Sequence, residues 1–233
     1  MLVALPCVLG FICFMIFTVK CNKQRSVEGV FIKNFASIFF ILTAAVSTYL
    51  NPDMWRFGLT VVLGGSIGML GDIYLDQKWV YPQHNDQYLN IGFISFGIGH
   101  FFYIGGMYYQ AKFTPKDMIV PIIIGFVVCF VNLLLEKPTK QDYGKFKLIA
   151  SVYTVILATM MGTAFWASIK TGQTAYIVYT IGGALFLLSD VILSPMYFAI
   201  AKDKNTPINF VLNHTTYYLA QYLIALTPLL IKA

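Results

Sequence analysis

Charged residues are scarce in this chain. Only 11% of its 233 residues are Asp, Glu, Lys or Arg, against roughly 25% in a soluble domain. The mean hydropathy is correspondingly high, at +0.71. This composition excludes an ordinary soluble globular protein and predicts a membrane protein.

Cysteines are also few, and the usual signatures of catalytic sites are missing. The four cysteines, Cys7, Cys13, Cys21 and Cys129, show no C-x-x-C spacing, which argues against a disulfide framework and against a zinc site. The H-E-x-x-H and P-loop patterns are absent as well. No obvious nucleophilic Ser or Cys remains, so candidate catalytic residues must be sought among the polar residues of the apolar segments.

Long apolar runs are abundant instead. Runs of about 18 residues or more indicate spanning helices, because a helix satisfies its own backbone hydrogen bonds in hydrocarbon. Eight such runs lie at residues 2–19, 29–50, 54–75, 87–110, 117–135, 145–169, 173–198 and 208–231. The connections are too short for a soluble domain. We therefore predict an all-α polytopic membrane protein, in which residues 1–233 form a single domain with eight transmembrane helices in one bundle.

The first run has no basic residue before it and no A-x-A-like cleavage site, so we expect it to be a retained helix rather than a signal peptide. The placement of Lys and Arg sets the orientation of the bundle. One side holds five: Arg56, Lys112, Lys116, Lys170 and Lys232. The other holds eleven: Lys20, Lys23, Arg25, Lys33, Lys78, Lys137, Lys140, Lys145, Lys147, Lys202 and Lys204. The side with eleven is expected to be cytoplasmic, with both termini outside. No basic cluster accompanies a soluble recognition module, so no nucleic-acid partner is expected.

A repeat is visible in the third and seventh runs. The segment GGSIGMLGDIYL at residues 64–75 aligns without a gap with GGALFLLSDVIL at residues 182–193. The run after each contains H-x-x-Y, as HFFY at residues 100–103 and HTTY at residues 214–217. The pattern indicates two parallel four-helix halves, an arrangement known among membrane proteins.

Each repeated segment carries an aspartate inside the membrane. An intramembrane carboxylate costs a few kcal/mol and normally faces a partner, a cavity or water. Because the third and seventh runs are parallel, Asp72 and Asp190 are expected at matched depth. In the eighth run, His214, Tyr217, Tyr218 and Gln221 form one polar stripe at i, i+3, i+4 and i+7. We predict Asp72 and Asp190 as catalytic residues, supported by His100, Ser189, His214, Tyr217, Tyr218 and Gln221.

These residues leave three chemistries open. Two carboxylates in different environments can act as general acid and general base in a hydrolysis. Two Asp with two His can instead ligate a metal that activates water. The same groups can also line a proton or solute path in a transporter. Asp76, His84 and Asp86, in the stretch DQKWVYPQHNDQ, are expected to be solvated loop residues.

Four motifs carry a resemblance to a known family: GDIYL, FGIGHFFY, GALFLLSDVIL and TYYLAQYLIA. Together they resemble the YhhN-type lysoplasmalogenase family of integral membrane proteins. The resemblance implies an eight-helix hydrolase that cleaves the vinyl-ether bond of a lysoplasmalogen into a fatty aldehyde and a glycerophospho head group. The functional positions it implies are Asp72, His100, Ser189, Asp190, Tyr217, Tyr218 and Gln221; His214 is not part of the family pattern.

On this basis we expect Asp190 to be the acid and Asp72 to orient water or stabilise the cation. The expected partners are a lysophospholipid-type amphiphile and the bilayer of a bacterial cell membrane, with the site on the cytoplasmic side and neither metal nor cofactor. A metal-dependent lipid hydrolase and a lipid or solute transporter are the alternatives. One departure from the family is that Met196 and Tyr197 stand where Asn and a basic residue are common.

Overall fold

The fold is an all-α bundle. A computed structural model describes residues 2–21, 26–200, 204 and 206–232. The described residues form eight α-helices: α1 (Ala4–Cys21), α2 (Val27–Leu50), α3 (Trp55–Val80), α4 (Asn85–Gln110), α5 (Ile119–Leu135), α6 (Lys147–Thr171), α7 (Thr174–Phe198) and α8 (Pro207–Leu230). The predicted all-α polytopic architecture is confirmed.

Seven of the helices within the described residues, α1 to α7, are long and apolar enough to cross a membrane. The last helix, α8, has 24 residues. At about 1.5 Å per residue, that length also spans a hydrocarbon core of roughly 30 Å. Its hydropathy is lower because the polar stripe predicted from the sequence lies on it, and this stripe is buried against neighbouring helices.

The helices pack mainly against their neighbours in sequence, with two large further contacts between distant helices and a smaller one. The large ones join α2 to α8 and α4 to α6, and the smaller one joins α3 to α8. If the two halves are exchanged, α2 takes the place of α6 and α8 takes the place of α4. The contact between α2 and α8 then corresponds to the contact between α6 and α4. The packing is therefore consistent with the two four-helix halves predicted from the repeated motifs.

Close approach of α3 and α4 depends on glycine. A Cβ on Gly99 would lie 2.8 Å from the carbonyl oxygen of Gly64, and a Cβ on Gly64 would lie 2.9 Å from the carbonyl oxygen of Gly99. Small residues at membrane helix interfaces let backbones approach in this way. The contact brings α3, which carries Asp72, against α4 over most of their length.

We expect Gly99→Ala to destabilise the folded protein by about 1–3 kcal/mol, because the methyl group meets a backbone oxygen that cannot move aside as a side chain would. The measurement is the thermal unfolding midpoint in detergent. Gly105→Ala is the matched control, since it lies on the same helix and a Cβ there meets nothing within 4 Å. Equal midpoints for the two variants would show that the α3–α4 contact tolerates a side chain.

Two of the basic residues counted for orientation are buried within helices. Lys33 on α2 is 4% exposed and Lys78 on α3 is 6% exposed, so neither is a loop charge. Lys23, Arg25 and Lys202 lie outside the described residues. The predicted cytoplasmic side therefore rests on the remaining residues and stays a prediction.

Candidate functional site

A cavity of about 150 Å³ lies between the helices of the bundle, and five of the eight predicted site residues line it: Asp72, Ser189, Asp190, His214 and Tyr217. Counted along their helices at about 1.5 Å per residue, the two aspartates and the histidine lie roughly 6 to 7 Å from the helix midpoints, toward the same end of the bundle. The matched depth predicted from the repeat therefore agrees with the helix bounds.

Asp72 is almost fully buried on α3 and receives hydrogen bonds on both carboxylate oxygens. The ammonium of Lys33 lies 3.0 Å from Oδ1. The Tyr217 hydroxyl donates to Oδ2 over 2.6 Å, and Ser37 Oγ lies 3.4 Å from the same oxygen. An ammonium and a phenol hydroxyl thus face the two oxygens, an arrangement that favours the carboxylate form of Asp72.

Asp76 also belongs to this cluster, and its prediction as a solvated loop residue was wrong. α3 continues to Val80 instead of ending near residue 75, so Asp76 lies one helical turn beyond Asp72 on the same face. Its side chain is only 12% exposed, and its Oδ2 lies 3.0 Å from the Lys33 ammonium. The helix can continue because this buried cation neutralises the carboxylate.

Tyr217 is itself held by a chain of hydrogen bonds from α4 and α8. The Tyr103 hydroxyl donates to Gln221 Oε1 over 3.2 Å, and Gln221 Nε2 donates to the Tyr217 hydroxyl over 3.1 Å. Since Tyr217 accepts this bond, its own hydrogen is directed to Asp72. Gln221 does not line the cavity. Its effect on Asp72 is transmitted through the hydroxyl of Tyr217.

Tyr218 holds the backbone next to Lys33. Its hydroxyl donates to the Lys33 carbonyl oxygen over 3.0 Å and lies 3.2 Å from the Ser37 hydroxyl. It does not line the cavity. The predicted residue therefore contributes to the position of α2 rather than to the cavity surface.

Asp190 on α7 is partly buried, and within the part of the chain that the structure describes its carboxyl group has only neutral partners. The Tyr153 hydroxyl of α6 donates to Oδ2 over 2.6 Å, while Ser189 Oγ lies 3.4 Å from Oδ1. Ser189 Oγ also lies 2.8 Å from the carbonyl oxygen of Phe186. A cation faces Asp72, whereas hydroxyl groups face Asp190.

The two histidines of the repeat occupy different environments. His214 lines the cavity, and its Nδ1 lies 2.8 Å from the Phe210 carbonyl oxygen, which requires a hydrogen on Nδ1. His100 is 1% exposed, and within the described residues neither of its ring nitrogens has a hydrogen-bond partner. Its ring packs edge-on against Phe186 at 4.9 Å between centroids, behind the cavity wall.

The remainder of the cavity is largely apolar. Its lining there includes Leu75, Phe93, Phe96, Val128, Leu157, Phe186, Leu187 and Val191. Val191 is 64% exposed, so the lining reaches the outer face of α7. The cavity therefore has a polar end at the Lys33 cluster and an apolar side that approaches the lipid-facing surface.

Sequence reasoning missed three residues of this site: Lys33, Asp76 and Tyr153. The i, i+4 spacing of Asp72 and Asp76 was a usable signal, because it places both carboxylates on one helical face. Lys33 and Ser37 have the same spacing on α2. Tyr153 offered no such signal, since it is a single tyrosine in an apolar helix.

The donor set does not resemble a metal site. Across residues 2–21, 26–200, 204 and 206–232, no three side chains of His, Cys, Asp or Glu lie together as a metal ion would require. One oxygen of Asp72 already faces an ammonium, which cannot ligate a cation. The arrangement is suited to proton transfer between two carboxyl groups that face one cavity.

Comparison with known proteins adds one match. The model of the YhhN family matches residues 29–228, which is most of the chain and includes every residue of the cavity lining. A search of curated proteins gave no match, and a search of solved structures gave none either.

Proposed function

The chain belongs to the YhhN family, and from this premise we propose that it is a lysoplasmalogenase-like hydrolase, which cleaves the vinyl-ether bond of a lysoplasmalogen. The products are a fatty aldehyde and a glycerophospho head group. The observation that carries the proposal is the pair of aspartates on one cavity, one facing a cation and the other facing only neutral hydroxyls. Vinyl-ether hydrolysis can use such a pair, because one carboxyl group can protonate the carbon atom and the other can accept a proton from the attacking water.

The contacts of Ser189 favour Asp190 as the acid. A serine hydroxyl has one hydrogen, and the Phe186 carbonyl at 2.8 Å can only accept it. The contact between Ser189 Oγ and Asp190 Oδ1 is then favourable when Oδ1 carries a proton. Asp190 is thereby assigned the proton and Asp72 the carboxylate.

The steps follow from this assignment. Asp190 delivers its proton to the β-carbon of the vinyl ether, which leaves an oxocarbenium ion at the α-carbon. Water adds to the α-carbon and gives its proton to Asp72, forming a hemiacetal. Asp72 then returns that proton to the glycerol oxygen as the carbon–oxygen bond breaks, and the hemiacetal hydroxyl gives its proton to Asp190. Both carboxyl groups regain their starting states.

The shape of the cavity fits a single-chain amphiphile. The polar end presents Lys33 and Asp76, while the apolar side reaches the exposed Val191. We assign the head group to the polar end and the alkenyl chain to a path past Val128 and Val191 toward the lipid. With the predicted orientation, the head group enters from the cytoplasmic leaflet.

Val128→Trp is expected to lower kcat/KM for long-chain substrates by about tenfold or more, with a smaller loss for short-chain ones, because the indole fills the path of the chain. Val127→Trp is the matched control, since the neighbouring Val127 is 54% exposed and outside the lining. The measurement is aldehyde release from lysoplasmalogens of graded chain length. Equal losses at all lengths would contradict the assigned path.

Aldehyde release by the purified, detergent-solubilised protein tests the proposed function, with a chelator present in a parallel reaction. We expect release that the chelator leaves unchanged. Loss of release with the chelator, and recovery on adding metal, would support the metal-dependent hydrolase instead. Binding of substrate without consumption by the folded protein would support a transporter.

A further inference from the structure

Lys33 is the least expected member of the site. It is a cation 4% exposed within a bundle of apolar helices. Its ammonium lies 3.0 Å from Asp72 and 3.0 Å from Asp76. A buried charge is costly unless it is paired and hydrogen-bonded, so the three groups are stable together only as a cation between carboxylates.

Donors face both oxygens of Asp72. The Lys33 ammonium lies beside Oδ1, and the Tyr217 hydroxyl, which accepts from Gln221 Nε2, directs its own hydrogen to Oδ2. Of these two donors only Lys33 carries a charge, so it is the group whose removal changes the proton balance of Asp72. The carboxylate oxygens keep further lone pairs, so Asp72 can still accept a proton from water.

The second half of the chain has no such cation at the equivalent place. Lys33 is the seventh residue of α2, counted from Val27, and Tyr153 is the seventh residue of α6, counted from Lys147. Each of them contacts the aspartate of the adjoining helix, Lys33 contacting Asp72 and Tyr153 contacting Asp190. The two halves therefore place a cation beside one carboxyl group and a neutral phenol beside the other.

We propose that Lys33 is a positioning residue for the hydrolysis: its ammonium holds Asp72 ionised and aimed at the cavity, so that Asp72 serves as the base while Asp190 carries the proton. Asp76 shares the ammonium and so weakens its hold on Asp72. The proposal rests on the proposed function, since it divides the acid and base roles between the two aspartates. The ammonium of Lys33 is taken up by Asp72 and Asp76, so Lys33 acts through Asp72 and does not itself bind the head group placed at that end of the cavity.

The groups around Asp72 define what a change at Lys33 does. The titratable or charged ones come from α2, α3, α6, α7 and α8: Lys33, Asp76, Tyr153, Asp190, His214, Tyr217 and Tyr218. Without the ammonium, Asp72 and Asp76 are two carboxylates one helical turn apart with no cation between them. Repulsion and burial then drive Asp72, the more buried of the two, to take up a proton.

The first experiment is the pH profile of kcat for aldehyde release. Lys33→Met is expected to lower kcat about 100-fold or more at neutral pH, to change KM by less than about threefold, and to move the acid limb of the profile up by at least about one pH unit. Lys33→Arg restores most of the rate. Asp76→Asn moves the acid limb the opposite way, to lower pH, because the Lys33 ammonium no longer shares its charge with Asp76 and stabilises the Asp72 carboxylate more strongly.

Lys20→Met is the matched control, since Lys20 forms an exposed pair with Glu28 and its loss leaves the profile unchanged. A purely structural role for Lys33 predicts lower activity at every pH with no movement of the acid limb. That result, or a movement of the limb in the same direction in Lys33→Met and Asp76→Asn, overturns the proposal. Asp76→Asn and Lys33→Arg decide the question even if Lys33→Met does not fold.

An infrared measurement separates this proposal from the proposed function, because it needs no turnover. At neutral pH the wild-type protein is expected to show a protonated-carboxyl band that Asp190→Asn removes. Lys33→Met is expected to add a second band, which the double variant with Asp72→Asn loses. The role of Lys33 is overturned if the protonated-carboxyl band of the wild-type protein is lost in Asp72→Asn. It is also overturned if Lys33→Met shows no second protonated-carboxyl band. A wild-type protein that releases no aldehyde but shows these bands overturns only the proposed function.

Discussion

Asp190→Asn is expected to lower kcat for aldehyde release by about 10³- to 10⁴-fold, within the range for loss of a general acid. The reason is chemical. A vinyl ether becomes reactive only when its β-carbon receives a proton, and an amide at position 190 has no proton acidic enough to give. The substitution keeps the size of the side chain and an oxygen that can accept the hydrogen bond from Tyr153, so the fold is retained.

The measurement is aldehyde release beside the unfolding midpoint of the same preparation. Asp53→Asn is the control, because Asp53 is an exposed aspartate in the turn between α2 and α3, and its replacement is expected to leave kcat unchanged. Near-normal turnover in both Asp190→Asn and Asp72→Asn would refute the two-carboxylate scheme. Loss of activity with a lowered midpoint would instead indicate damage to the fold.

The architecture could be predicted because hydropathy and the polar stripe act over whole helices. The eight apolar runs match the eight helices, and the stripe on α8 does face the other helices. The largest difference is at the end of α3, where Asp76, Gln77 and Lys78 interrupt the apolar run and were taken to begin a loop. The helix continues because these charges are compensated by tertiary contacts, with Asp76 on Lys33 and Lys78 over the Tyr197 ring at 3.2 Å.

The residues of the candidate site could be predicted from the sequence mainly where they belong to the repeated motifs. Asp72, Asp190 and His214 lie on the cavity as the repeated motifs predicted. From the sequence, Lys33 is only one of the basic residues in or beside the connections that set the orientation of the bundle. Only the position of α3 beside α2 shows that its ammonium turns inward. His100 shows the converse, since it belongs to the repeat and yet lies behind aromatic rings.

The two similar motifs place their aspartates in different surroundings. The aspartates occupy equivalent positions on α3 and α7, and their neighbours, Lys33 and Tyr153, occupy equivalent positions on α2 and α6. Under the proposed scheme, this difference of side chain makes one aspartate the base and leaves the other to hold the proton. The scheme therefore assigns the acid and base roles to the adjoining helices more than to the aspartates themselves.

Asp72→Asn is expected to lower aldehyde release by about 10²- to 10⁴-fold, and yet to leave protonation of the substrate intact. Lys33 keeps one carboxylate partner, Asp76, so the variant buries no unpaired cation and remains folded. Water then adds to the oxocarbenium ion slowly, since no base accepts its proton. The ion instead returns a proton to Asp190 and re-forms the vinyl ether.

This return can be detected in D₂O. Asp190 exchanges its proton with solvent, so each cycle of protonation and return can leave deuterium on the β-carbon of unreacted substrate. Substrate recovered from Asp72→Asn is expected to contain deuterium at that carbon, read by mass spectrometry, and substrate from Asp190→Asn is expected to contain none. The opposite pattern, with deuterium in the Asp190→Asn sample alone, would reverse the two roles, because the group that protonates carbon must be the one still present when exchange occurs.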